Sequence, residues 1–229
     1  MPENSKSRPI PRGRLTLAVA SSNPGKLAEF RELLGPLGCE ILCLGQGPLS
    51  GLDPAKIPSP VEDGAGFSEN AGLKARYWAD LLGLPCLADD SGLLVTALDG
   101  APGIMSARWG GIDPSSGGGR DQSRYLLKMM EGKADRRAEF AASLVLAKPF
   151  RREILGYRGS LAGEIARELR GENGFGYDFV FFFPALGKTL AEISRQEKGQ
   201  ISHRGRAVKA LREDWPRASG FLSGQGNLG

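Results

Sequence analysis

Asp89 and Asp90 stand side by side between two short apolar runs, in the stretch ADDSGL. Adjacent carboxylates raise one another's pKa unless something neutralises them. A hard cation is one solution, because Mg²⁺ takes one or two carboxylates together with waters and substrate phosphates. Glu62 and Asp63, in a Gly/Pro-rich stretch, and Glu69, at an expected helix start, are further acids that could join such a site. The same residues would also serve as a solvated turn.

A second group is Ser21-Ser22-Asn23-Pro24-Gly25-Lys26. Asn23 suits a helix N-cap and Pro24 the first helical position. A helix starting there aims free N–H groups past the end of the preceding strand, and the Ser21 and Ser22 hydroxyls and the Lys26 ammonium would complete an anion cradle. A well-capped turn with no ligand is the plainer alternative. Lys74 follows Asn70 by four residues, which puts both on one helix face. A third group is Phe175-Gly176-Tyr177-Asp178 with Lys198, Ser202, His203 and Arg204. An aromatic in a glycine loop can stack on a base. Asp178 can accept from base N–H groups, and His203 and Arg204 can donate to base carbonyls. Ser202 also fits a helix cap and nothing more.

The elements that must position these groups alternate. Leu15–Ala20 has the composition of a buried strand, Lys26–Leu34 has helical apolar spacing, and Cys39–Leu44 follows as a strand. That βαβ opening points to an α/β fold. A loose connection over 45–66 leads to a helix over Phe67–Gly83. Strands are expected at Pro85–Ala88 and Leu93–Leu98, interrupted by DDSG. Then come a glycine-rich loop at 110–119, a helix at Asp121–Met130, and strands at Ala138–Ala147 and Glu153–Gly159. A glycine loop at 171–176 leads into a strand at Phe179–Phe183, and a helix covers Ser202–Glu213. Residues 1–14 read as a disordered basic tail, 15–215 as a single two-lobed unit, and 216–229 as a flexible C-terminal tail.

The chain has 229 residues, 41% apolar and 24% charged, a soluble balance with room for a core. No apolar run reaches the roughly 18 residues of a membrane span, and no signal-like apolar segment opens the chain. The net charge is +4, but Lys6, Arg8, Arg12 and Arg14 against Glu3 leave only +1 for everything after residue 14. A body that tracks nucleic acid would need more. Cys39, Cys43 and Cys86 are too few for a disulfide framework and fit a reducing compartment, so a cytoplasmic location is expected. Gly224–Gly229 matches G-x-G-x-x-G without the flanking strand and helix. Gly187-Lys188-Thr189 lacks the first glycine of a P-loop.

Six segments occur in order: SSNPGK at 21–26, ENAGLKA at 69–75, ADDSGLLVTAL at 88–98, APGIMSAR at 101–108, GFGYD at 174–178 and SHRGRA at 202–207. Together they resemble the Ham1-like inosine/xanthosine triphosphate pyrophosphatase family over roughly residues 15–213. The resemblance implies a mixed central sheet with flanking helices, two lobes around a substrate cleft, and a homodimer. It implies Mg²⁺-dependent hydrolysis of ITP, dITP and XTP to the monophosphate and pyrophosphate, with no nucleic acid or membrane partner. By motif, Ser21, Ser22, Asn23, Pro24, Gly25 and Lys26 would hold the triphosphate, with Lys74 nearby. Glu62 and Asp90 would bind Mg²⁺, and Asp90 would be the base for the attacking water. Asp89 would support them and Ser91 touch substrate. Phe175, Gly176, Tyr177, Asp178, Lys198, His203 and Arg204 would form the base pocket. Phe179 after GYD, where the family has proline, and Gly66, where it commonly has a hydroxyl residue, are departures that remove no catalytic group. A pyrophosphatase for modified pyrimidine nucleotides, a non-catalytic nucleotide binder, and nucleic-acid binding through the basic tail are the competing classes.

Overall fold

The computed structural model describes residues 15–50, 52, 57–58, 60–113 and 119–224. The expected basic tail at 1–14, part of the 110–119 loop and the last five residues lie outside that set. The described elements build one seven-stranded mixed sheet in the order β2-β1-β3-β4-β5-β6-β7. The strands are β1 (Thr16–Ala20), β2 (Glu40–Cys43), β3 (Cys86–Val95), β4 (Arg137–Ala147), β5 (Ile154–Ile165), β6 (Phe181–Phe183) and β7 (Lys188–Thr189). The helices are α1 (Pro24–Leu34), α2 (Phe67–Leu82), α3 (Arg120–Met129), α4 (Arg195–Ile201), α5 (His203–Glu213) and α6 (Trp215–Ser223). β1 pairs in parallel with both β2 and β3, and the rest of the sheet is antiparallel.

The period-2 alternation of the strands sorts side chains to two faces. Leu17, Val19 and Leu87 pack with Leu27, Phe30 and Leu34 of α1 and Val208 and Leu211 of α5. Ala18, Ala20, Cys86 and Ala88 pack instead with Ala71, Ala75 and Trp78 of α2. Thus α1 covers one face and α2 the other, so the chain leaves β1 and enters β3 on opposite sides of the sheet. That is the topology whose strand carboxyl ends open into a crevice. A third cluster joins Leu93, Val95 and Phe140 to Leu126 of α3, Val180 and Phe181. Full burial of a side chain such as Phe30 or Leu34 stabilises the fold by roughly 1.5–3 kcal/mol.

Four expectations change. The DDSG stretch does not break a strand: β3 runs unbroken through it, paired with β4 from Cys86↔Ala147 to Val95↔Ala138. Polar residues can sit inside that ladder because each finds a side-chain partner. Phe179 and Val180 form a turn, so β6 begins only at Phe181. β5 extends to Ile165, well past Gly159. The region expected to be a flexible tail from 216 contains α6, which buries Ala218, Phe221 and Leu222 and ends at Gly224 in the left-handed region (φ 75°). Pro216 near its start and Gly224 after its end are helix punctuation in the sequence.

Candidate functional site

The site begins where β1 stops. Ala20 pairs with Ala88, and beyond that β3 continues with β4 on one side and, among the described residues, no strand on the other. Into that gap turns Ser21–Asn23. The Ser21 hydroxyl accepts from the Asn23 N–H at 3.2 Å, and Asn23 Oδ1 accepts from the Lys26 N–H at 3.1 Å. The cap and Pro24 start α1 as the sequence predicts, and Lys26 in its first turn reaches Asp89 in the middle of β3.

Asp89 and Asp90 do not face each other. Asp89 shares its face with Ser91, which donates to Asp89 Oδ2 at 3.1 Å. On that face Lys26 Nζ lies 2.6 Å from Asp89 and Arg204 Nη2 lies 3.5 Å from it. Burial alone would raise the Asp89 pKa, but Lys26 and Arg204 overcome it and hold the carboxyl well below the usual range. Asp90 faces α2, where Lys74 donates at 2.8 Å and also lies 3.5 Å from Glu62. Burial pushes the Asp90 carboxyl up, against the pull of Lys74. The paired charges expected to need a cation are therefore separated by the pleat and given one lysine each. The segment carrying Glu62 is tied to the first turn of α2. Gly64 N–H donates to Asn70 Oδ1 and Ala65 N–H to Glu69 Oε2, each at 2.9 Å. A side chain at Gly64 would collide with Glu69 and Asn70.

A cavity of about 730 Å³ opens on the α1/α5 face. Of the expected residues it gathers Ser22, Asn23, Pro24, Gly25, Lys26, Ser91, Phe175, Gly176, Tyr177, Asp178, Lys198, His203 and Arg204. Ser21, Glu62, Lys74, Asp89 and Asp90 lie outside its lining, around the free edge of β3. The Phe175 ring packs against the Gly25 backbone so closely that a Cβ there would strike it. Lys198 Nζ sits 4.7 Å from the Phe175 ring centroid.

Sequence reasoning missed Glu29. It lies one turn beyond Lys26 on α1, buried, and pairs with Lys198 at 2.7 Å and with Arg204. Lys198 also meets Asp178 at 2.6 Å. The outcome is an alternating line of six charges, Lys26, Asp89, Arg204, Glu29, Lys198 and Asp178. It runs from the α1 N-terminus to the glycine loop. Burial would raise the Glu29 pKa, but Arg204 and Lys198 bring it down to about 2. Burial would lower Lys198, but Asp178 and Glu29 hold it above its ordinary value. Burial likewise opposes Arg204, and Asp89 and Glu29 keep it raised. Asp178 is pushed up by burial against the pull of Lys198. The i,i+3 spacing of Lys26 and Glu29 was the available signal. His203, stacked on Phe140 with centroids 4.6 Å apart, is held well below its usual pKa, first by burial and then by Arg204 and Lys198. It is therefore neutral at physiological pH and offers one N–H and no charge. Arg204 is less free than its sequence role implied. Nη1 bonds Glu29, Nη2 bonds Ser91 at 2.9 Å, and Nε alone is unpartnered. Gln122, Ser106 and Asn173 also line the cavity and carried no motif signal.

Among the described residues no cluster of three His, Cys, Asp or Glu could by itself hold a metal. Glu62 and Asp90 flank Lys74, and Asp90 Oδ2 is buried without a partner. Two carboxylates with a spare oxygen fit a cation that draws its other ligands from water and phosphate.

Residues 17–214 match the model of the Ham1 family. The chain is 46% identical over 202 residues to the dITP/XTP pyrophosphatase of a Thermus thermophilus strain, covering 87% of this chain and 91% of that protein. It is 45% identical over 197 residues to the dITP/XTP pyrophosphatase of an Exiguobacterium species, covering 86% and 95%. Among solved structures it resembles a HAM1 protein from Coxiella burnetii, with TM-score 0.75 and 38% identity over 88% of this chain and 98% of that one. The Staphylococcus aureus Ham1 protein gives TM-score 0.72 and 36% identity over 92% and 100%.

Proposed function

The chain belongs to the Ham1 family, and from that premise we propose that it hydrolyses dITP, XTP and ITP to the monophosphate and pyrophosphate, clearing deaminated purine nucleotides from the pool. One observation carries this reading: the six-charge line that joins an anion cradle at the α1 N-terminus to an aromatic-lined cavity. A nucleoside triphosphate has that shape, polyanionic at one end and flat at the other.

In this reading the phosphates lie against Ser21–Lys26, where the Lys26 ammonium and the free N–H groups of α1 take their charge. The base enters the cavity against Phe175. Lys198, whose ammonium lies beside the Phe175 ring, and Arg204 are cations that line this cavity, and both suit a 6-oxo group. A 6-amino group would set a donor against these cations, which is how such sites reject a near-isostere. Glu62 and Asp90 would hold Mg²⁺, which when bound would neutralise phosphate charge and acidify a coordinated water. Asp90 is the base that takes the proton from the attacking water. The water oxygen bonds to the α-phosphorus as the bond to the pyrophosphate oxygen breaks, and Lys74 holds Asp90 in place throughout. The same family membership supports a homodimer, which the solution mass would test.

Product analysis tests the reading. With Mg²⁺ and dITP, XTP or ITP, the purified chain should release pyrophosphate and monophosphate, with little from dATP or dGTP. Release of inorganic phosphate, or equal use of all five, would refute it. Asp90→Asn should fold normally and lose about a hundredfold or more in turnover, the scale of a lost general base.

A further inference from the structure

Gln122 is buried in the first turn of α3 and lines the cavity, yet nothing in the proposed chemistry uses it. Its amide has two hydrogens, and both are committed. Nε2 donates to the Ser106 carbonyl at 3.2 Å and to the Ala107 carbonyl at 3.0 Å. A flipped amide would set its oxygen against those two carbonyl oxygens, so the orientation is fixed. Oε1 is the remaining polar atom. It has no hydrogen-bond partner among the described residues, it belongs to a residue that lines the cavity, and it stands beside Gly176, 4.0 Å from where a Cβ on that glycine would lie. The surroundings keep it there. Tyr177 Oη donates to the same Ser106 carbonyl at 3.0 Å, and Ser123 Oγ donates to the Gly176 carbonyl at 2.8 Å. One turn of α3 thus clamps the glycine loop on one side and residues 106–107 on the other.

The geometry points to Gln122 Oε1 as a specificity-determining acceptor for the ring N1–H of a 6-oxopurine. The inference rests on the proposed substrate class and deepens it. Cations reading the 6-oxo group need an acceptor beside them for the adjacent N1–H, which adenine lacks. The carboxylates of the cleft, Asp89, Glu29 and Asp178, are already engaged by Lys26, Arg204 and Lys198. Gln122 Oε1 is a neutral acceptor with a free lone pair. Against adenine it would face the lone pair of an unprotonated N1, so one atom both favours the oxo base and opposes the amino one.

The test compares wild-type chain with Gln122→Met, which keeps length and removes the acceptor. For the variant, kcat/KM should fall about tenfold or more on dITP and XTP and hold or rise on dATP. A purely structural role would lower all three alike, and that result would overturn the inference. A second arm needs no variant: wild-type chain is titrated with inosine monophosphate and with 1-methylinosine monophosphate, which lacks the N1–H. Weaker binding of the methylated ligand, with the difference lost in Gln122→Met, is expected; equal wild-type affinity would refute the assignment. If the wild-type chain made no pyrophosphate from dITP, the proposed function would fail, while the monophosphate titration would still decide the role of Gln122.

Discussion

Glu29 shows what a single residue contributes here. Its carboxylate pairs with Lys198 and Arg204 at once, and all three are buried. Removing one partner from a buried network leaves uncompensated charge, so Glu29→Gln should destabilise the fold by about 3 kcal/mol at neutral pH, read from urea midpoints. The sign of its pH dependence follows from its depressed pKa. Its contribution is complete above the unfolded value near 4.5 and is lost as pH falls toward about 2. Wild-type stability should therefore drop through that window, and Glu29→Gln should drop less steeply. Motif reasoning located the cations of this network but not their shared anion. An acid within an apolar-spaced helix looks like a solvent-facing position until tertiary contacts show what lies beside it.

At the level of elements, the start of α1 was readable because capping is local chemistry: Asn23, Pro24 and Lys26 need only each other. The contact between Gly25 and Phe175 was not readable, since 150 residues separate them and no local pattern brings them together. Glycine in a helix costs up to about 1 kcal/mol relative to alanine, so Gly25 trades helix propensity for the approach of the ring. Gly25→Ala should leave the melting temperature unchanged or slightly higher. It should lower kcat/KM for dITP about tenfold by displacing Phe175 from beneath Lys198. Adding Phe175→Ala should produce far less than the sum of the two effects, the mark of residues in contact. The two-strand expectation across DDSG failed for a related reason. Polar residues look like a break until Lys26, Lys74 and Arg204 arrive from three different helices.

For the whole molecule, the βαβ opening foretold the parallel β1–β2 pair. The crevice between β1 and β3 depended on α2 crossing to the opposite face, which no local pattern specifies. The C-terminal helix is part of the fold and not an appendage. Phe221 and Leu222 bury against the α1/α5 cluster, and Lys148 Nζ lies 4.4 Å from the Phe221 ring centroid. Ending the chain after Asp214 should cost on the order of 4 kcal/mol of apolar burial. The truncated chain should unfold at markedly lower urea. An unchanged midpoint would mean that α6 contributes no packing energy.

Ten consecutive pairs lock β3 to β4, and that ladder does more than hold the sheet together. Asp89 and Asp90 are the same amino acid, so no chemistry intrinsic to either gives one the company of Lys26 and the other that of Lys74. Only their parity along the strand does. Deletion of a single codon within 86–88, with the pairing upstream of it kept, would preserve composition almost intact, move Asp90 to the position that faces Lys26 and turn Asp89 to the opposite face, onto the site of Ala88. Odd and even positions are thus the only label distinguishing two otherwise identical acids, and the strand pairing is what reads that label.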